Sequence, residues 1–161
     1  MRMSEGVEWG LHCCVILVWL GDDRPVPTAK LAASFDLPPA YLNKRLQALV
    51  RAGILHSTPG ARGGFQLARP PEKISLMDVV AAIEGPEEAF RCAEIRRQGA
   101  GAEAPASTYR APCGIATAMR RAELAWRREL AKQTVAGIAA NTPESVVERT
   151  RRWFATERTS H

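Results

Sequence analysis

Apolar positions recur at helical spacing through most of this 161-residue chain, and the places where that spacing stops divide it into units. Residues 6–20 predict a first helix with Val7, Leu11, Val15 and Val18 as its inner stripe, stopped at Gly21. Thr28 is placed to cap a short helix over residues 29–35, after which Asp36 and the Pro38-Pro39 pair turn the chain and open another. In that next helix Leu42, Leu46, Leu49 and Val50 form one buried stripe. Tyr41, Asn43, Lys44, Arg45, Gln47 and Arg51 occupy the rest of its surface, and Gly53 ends it.

Residues 54–57 and 65–67 then read as two strands, joined by a turn that holds Gly60, Gly63, Gly64 and Arg62. A basic, glycine-rich hairpin directly behind an amphipathic helix with a polar outer face is the order of a winged helix-turn-helix; the plain alternative is a surface turn. The expected fold class is therefore mainly α with a small β-hairpin wing, and the expected partner is double-stranded operator DNA. Candidate DNA contacts are Thr28, Tyr41, Asn43, Lys44, Arg45 and Gln47 on the helices, with Arg62 and Gly63 at the wing, where Arg62 is the cation placed to enter a groove. Ser75 and Asp78 spell a capping box for a helix carrying Leu76, Val79, Val80 and Ile83, stopped at Gly85-Pro86. Residues 1–85 thus form the expected DNA-binding domain.

The period is lost over residues 86–113, which read as a long loop bearing Cys92 and Cys113. It returns over residues 114–139 as one long helix, with Ile115, Met119, Ala122, Trp126, Leu130 and Ile138 near heptad spacing and Arg120, Arg121, Arg127 and Arg128 on its flank. Such a stripe calls for a partner helix, so a homodimer is expected. A final amphipathic helix from Thr142 onward carries Val146, Val147, Thr150, Trp153 and Phe154. It is expected to pack back on the dimer, with Arg149, Arg151 and Arg152 as solvated charge. Residues 114–161 make up this dimerisation unit.

A formal net charge of +5 suits a polyanionic partner. Membrane insertion is excluded from the reading: no apolar run reaches the length of a span, and the segment from Cys13 to Leu20 has no cleavage site, so a cytoplasmic protein is expected. No nucleophile–base set appears, which argues against an enzyme. Four cysteines do not make a disulfide scaffold. Cys13 and Cys14, embedded in apolar residues, read as inert core thiols, whereas Cys92 and Cys113 have twenty residues between them, without the tight spacing of a zinc site. Glu8 and His12 project from one helix face, one turn apart; they could hold a metal, or be a surface carboxylate beside a packed histidine.

Taken together, residues 1–140 resemble the Rrf family of bacterial transcription regulators, whose members include IscR, NsrR and RsrR. The resemblance rests on the winged segment Gly60-Ala-Arg-Gly-Gly-Phe-Gln-Leu-Ala-Arg-Pro70, the capped segment Ile74-Ser-Leu-Met-Asp-Val-Val-Ala-Ala-Ile-Glu84, the cysteine loop and the long helix. The opening Val7-Glu8-Trp9-Gly-Leu-His12-Cys-Cys14 is most similar to the RsrR branch. The resemblance implies a homodimer with a 2Fe-2S cluster at its interface, held by Glu8 and His12 of one chain and Cys92 and Cys113 of the other, sensing redox or nitrosative state. Cluster-binding members commonly carry three cysteines in this loop; here there are two, with Tyr109 and Pro112 in the region of the third. Imidazole ligation raises a cluster's potential relative to an all-thiolate site, which suits a sensor. The alternative is a cluster-free winged-helix regulator acting through thiols or a small ligand.

Overall fold

A computed structural model describes residues 3–21 and 24–156. Its centre is α1 (Glu5–Leu20), which is apolar on most sides because α3, α4, α6 and α7 all pack on it. The single stripe expected for this helix is accordingly too narrow. Cys13, Cys14, Ile16 and Leu17 are buried as well as Val7 and Val15, while Leu11 and Val18 are only half-buried.

Helix α2 (Thr28–Ala33) starts at Thr28 itself, so Pro27 takes the capping position and Thr28 does not serve as the cap. It ends two residues earlier than its pattern predicts, where Asp36 adopts a left-handed conformation (φ 55°). Helix α3 (Pro39–Arg51) buries Leu42, Leu46 and Leu49 completely. Gly53 (φ 68°) closes it with two reversed bonds: the Gly53 N–H donates to the Val50 carbonyl at 2.9 Å, and the Ile54 N–H to the Leu49 carbonyl at 2.9 Å. This paired closure satisfies the helix's last carbonyls and drops Ile54 into the core.

Strands β1 (Leu55–Thr58) and β2 (Gly64–Leu67) pair antiparallel, with Leu55 opposite Leu67 and Thr58 opposite Gly64. Val26 bonds to the free edge of β2 through reciprocal 2.8 Å hydrogen bonds with Phe65, which ties the wing to the start of α2. The approach is close at Gly64 (φ 151°), where an added Cβ would lie 2.2 Å from the Val26 carbonyl oxygen. Gly64→Ala is expected to cost about 2–4 kcal/mol through strain and backbone displacement. Denaturant unfolding measures it, and a variant as stable as the parent removes this packing argument.

Helix α4 (Leu76–Glu84) begins with the predicted capping box: the Ser75 hydroxyl accepts from Asp78 N–H at 3.0 Å and the Asp78 carboxylate from Ser75 N–H at 2.8 Å. The long helix predicted over residues 114–139 is two. Helix α5 (Gly114–Lys132) stops where Gln133 and Thr134 become extended to pair with the chain before α4. Leu76 N–H donates to the Gln133 carbonyl and Val135 N–H to the Ile74 carbonyl, both at 2.9 Å. Helix α6 (Val135–Ala140) restarts under a Thr134 cap, so Ile138 does not continue the α5 stripe.

Helix α7 (Glu144–Thr156) buries Val147 and Phe154 against its own chain. Lys30 Nζ donates to the Phe154 carbonyl at 2.7 Å, and Arg151, expected as solvated charge, donates to the Trp19 carbonyl at 2.8 Å. Residues 157–161 of the last unit lie outside the described residues. Among the described residues no helix is long and apolar enough to cross a membrane.

Candidate functional site

The outer face of α3 and the wing enclose a groove of about 500 Å³, bordered by Thr28, Asn43 and Gln47 on one side and the turn from Thr58 to Gly64 on the other. Asn43 and Lys44 are exposed, Gln47 is half-buried, and the Thr28 hydroxyl stands 3.5 Å from the Asn43 carboxamide oxygen. Arg62 is exposed at the wing tip, while Gly63 is buried in the turn. A Cβ at Gly63 would meet the Thr58 carbonyl at 2.1 Å, so only glycine lets the wing fold back this tightly. The groove is lined by the Asn43 and Gln47 amides and the Thr28 hydroxyl, while Lys44 and Arg62 are exposed on α3 and at the wing tip; donors of these kinds suit phosphates and base edges.

Of the expected DNA contacts, Arg45 also packs on α1. It is half-buried, its guanidinium lies 5.2 Å from the Tyr41 ring, and its side chain packs over Gly6 of α1, where a Cβ would come within 2.8 Å of Nε. The cause is positional: on α3 it faces the amino-terminal turn of α1. Tyr41 is 50% exposed, yet its ring also meets Trp9 edge-on at 5.5 Å. The Ser4 N–H and hydroxyl both donate to the Glu84 carboxylate, at 2.8 and 2.6 Å, and hold that carboxyl below its usual range. The start of α1 is therefore in register with both α3 and α4.

On the opposite edge of that start, Glu8 and His12 are both exposed and line a shallow concavity of about 410 Å³ with Met3, Val7 and Leu11. His12 is not a packed core histidine; its ring centroid lies 5.2 Å from that of the partly exposed Phe35.

The cysteine segment is ordered by its own contacts rather than irregular throughout. It folds through three short 3-10 turns, Ile95–Arg97, Gly99–Gly101 and Ala106–Tyr109. Arg96 links its two arms: it pairs with Glu94 and donates to the Ala111 carbonyl at 3.2 Å. Tyr109 fills the centre, with the guanidinium groups of Arg96 and Arg97 at 5.4 and 5.7 Å from its ring and its hydroxyl donating to the Gly101 carbonyl at 2.9 Å. Cys92 is exposed and Cys113, half-buried, is the residue before α5. Backbone N–H groups of Ala116 and Ile115 aimed at its sulfur, aided by Arg96, hold the Cys113 thiol below its ordinary value. Glu94 chiefly raises the Arg96 guanidinium, with smaller contributions from Cys113 and then Cys92. Burial does the reverse in the core: Cys13 is pushed up to about 12, and Cys14 is likewise raised, so both are inert as expected.

Glu94, Arg96, Glu123 and Arg127 are not among the sequence candidates. The four-residue spacing of Glu123 and Arg127 is the signal that points to the latter pair.

An amphipathic helix with a polar outer face, a glycine-tight wing and a polar groove between them define a winged helix-turn-helix. Residues 3–141 match the Rrf2 family, described as "Iron-dependent Transcriptional regulator", and the chain belongs to that family. It is 32% identical over 142 residues to YffB of Lactococcus lactis, covering 88% of this chain and 89% of that one. It is 33% identical to Rv1287 of Mycobacterium tuberculosis, over 100% of this chain and 96% of the relative. Both relatives are named as HTH-type transcriptional regulators. The fold matches CymR, the global cysteine regulator of Bacillus subtilis, with a TM-score of 0.69 at 22% identity, over 89% of this chain and 99% of that one.

Proposed function

We propose that this regulator acts in the cytoplasm as a homodimer on operator DNA and senses redox or nitrosative state through a 2Fe-2S cluster between its subunits. On this reading residues 1–85 bind DNA, residues 86–113 carry the thiolate ligands and residues 114–161 dimerise. The donors are Glu8 and His12 of one subunit with Cys92 and Cys113 of the other, as in the RsrR branch. The carrying observation is the pairing of an exposed Glu8–His12 edge on α1 with a Cys113 sulfur already biased toward thiolate. Thiolate with imidazole is a donor set that suits such a cluster. Within one chain, among the described residues, no three His, Cys, Asp or Glu side chains converge; on this reading the four donors come from two subunits. When bound, the cluster would supply one-electron chemistry and iron open to attack by small oxidants.

The protein's part is to carry a change at Glu8 and His12 to α3. Trp9 and Gly6 lie on the same two turns of α1 and touch Tyr41 and Arg45, so a shift of α1 moves the reading helix directly. An absorption spectrum with iron and sulfide analysis of protein purified without oxygen tests the cluster. Colourless, iron-free protein that still shifts its operator would favour the second reading, a thiol sensor, for which Cys92 and Cys113 flanking one arginine are suited.

The DNA part has its own test. Arg62→Ala is expected to leave the fold intact and weaken operator binding by about 1–3 kcal/mol if the side chain reads a base, or to lower the salt slope by about one if it meets phosphate. Equal affinity and equal salt slope in the variant would take the wing out of the mechanism.

A further inference from the structure

Among the described residues a single charged side chain is buried: Glu123, 8% exposed, in the middle of α5. A carboxylate leaves water only where donors converge on it. Here Arg127, one turn along, donates from Nε at 2.9 Å and approaches from Nη2 at 2.8 Å, and the backbone N–H of Ala89 donates at 3.1 Å. Arg127 also donates to the Glu87 carbonyl at 3.2 Å and lies 5.2 Å from the Trp126 ring centroid. Two side chains of α5 thus grip the backbone of residues 87 and 89.

That grip stands at a particular place. Cys92 is three residues beyond Ala89, and Cys113 immediately precedes the first turn of the same helix α5. Between Pro86 and Arg91 no side chain is buried, and Phe90 alone is half-buried, so apolar packing does little to hold this arm. Farther along, Arg96 fastens the arm to the Ala111 carbonyl, two residues before Cys113. Each thiol is therefore referred to α5, one by chain connectivity and the other through Glu123 and Arg127.

We propose that Glu123 and Arg127 are positioning residues for Cys92, fixing its separation from Cys113 so that the two thiols of one chain act as a pair. The inference rests on the reading that these cysteines form one site, and it holds for either a cluster or a thiol sensor. Their grip is on backbone, so it works whatever side chains the segment carries.

The test uses the full-length protein, reduced and free of metal, with the bifunctional thiol reagent dibromobimane. Cys13 and Cys14 are fully buried and stay out of the reaction; a Cys92→Ser protein is the blank. The parent is expected to form an intramolecular Cys92–Cys113 link. Glu123→Ala is expected to form it about tenfold more slowly, because a freed arm lowers the effective concentration of one thiol at the other. Monofunctional alkylation of the exposed Cys92 should stay at the parent rate. Glu123→Gln keeps an acceptor for Ala89 and loses the charge facing Arg127, so it should fall between the two, and it serves if the alanine variant does not fold. Equal linking rates in parent and folded variants overturn the inference, as does a link that joins two subunits on a denaturing gel. Iron content is read separately: an iron-free native protein with grip-dependent linking removes the cluster and leaves this inference standing.

Discussion

Cys113→Ala is expected to abolish the visible absorption and the iron content of anaerobically purified protein, the largest effect of any single ligand change. The surroundings of Cys113 favour its ligating form, through the N–H groups of Ala116 and Ile115 and the nearby Arg96. It also leads into α5, so its position is set by a helix rather than by a turn. Glu8→Ala removes a hard, exposed oxygen donor and should leave a labile cluster with altered potential, and His12→Ala should fall between the two. Replacing Cys13 or Cys14 should leave the spectrum unchanged, although both fill the core and their loss will be felt in stability. Full iron content in Cys113→Ala would sink the ligand assignment. If the parent contains no iron and Cys113→Ala has lost its response to oxidant in DNA binding, the thiol reading takes its place.

Local signals specify the DNA-binding unit. The leucine stripe of α3, the Ser75–Asp78 capping box and the wing glycines are each a short-range pattern with a short-range cause, and each is legible in the order of residues alone. Tertiary pairing is not. Residues 114–139 keep helical spacing straight through Gln133 and Thr134, and the break there exists because Gln133 and Val135, on either side of Thr134, hydrogen-bond to the distant chain at Leu76 and Ile74. Arg45 shows the same limit at the level of one side chain. On α3 it looks like one more outward cation, and only the packing of α1 at Gly6 shows that its stem is partly covered. The cysteine segment reads as structureless because glycine, alanine and proline carry no period, yet Arg96, Tyr109 and Glu94 give it an internal frame of hydrogen bonds and ring contacts. For the site itself, the residue types are legible and their grouping is not. Glu8 and His12 share a helix face, but on the proposed reading their relation to the cysteines depends on a second subunit.

That subunit is the subject of the remaining prediction. On α5, Ile115 and Met119 are 67% and 42% exposed, with Ala122 beside them, while Trp126 and Leu130 farther along the same stripe are half-buried. The helix turns the flank that adjoins this stripe, Ala116 and Glu123, into its own chain. An exposed apolar stripe continuous with a half-covered one is the surface a two-fold partner would close, each copy meeting itself across the axis. Met119→Glu would place like charges near that axis and strand a carboxylate in an apolar seam, at a cost of several kcal/mol. The expected outcome is a monomer at micromolar concentration in sedimentation, with loss of tight binding to a palindromic operator but an intact chain fold. Leu124→Glu is the control. It is 47% exposed and, at about 100° per residue, lies roughly 140° around the helix from Met119. That variant should remain dimeric. If Met119→Glu stays dimeric, or Leu124→Glu is the one that dissociates, the interface lies elsewhere on the molecule, and the two-subunit donor set built on it has to be redrawn.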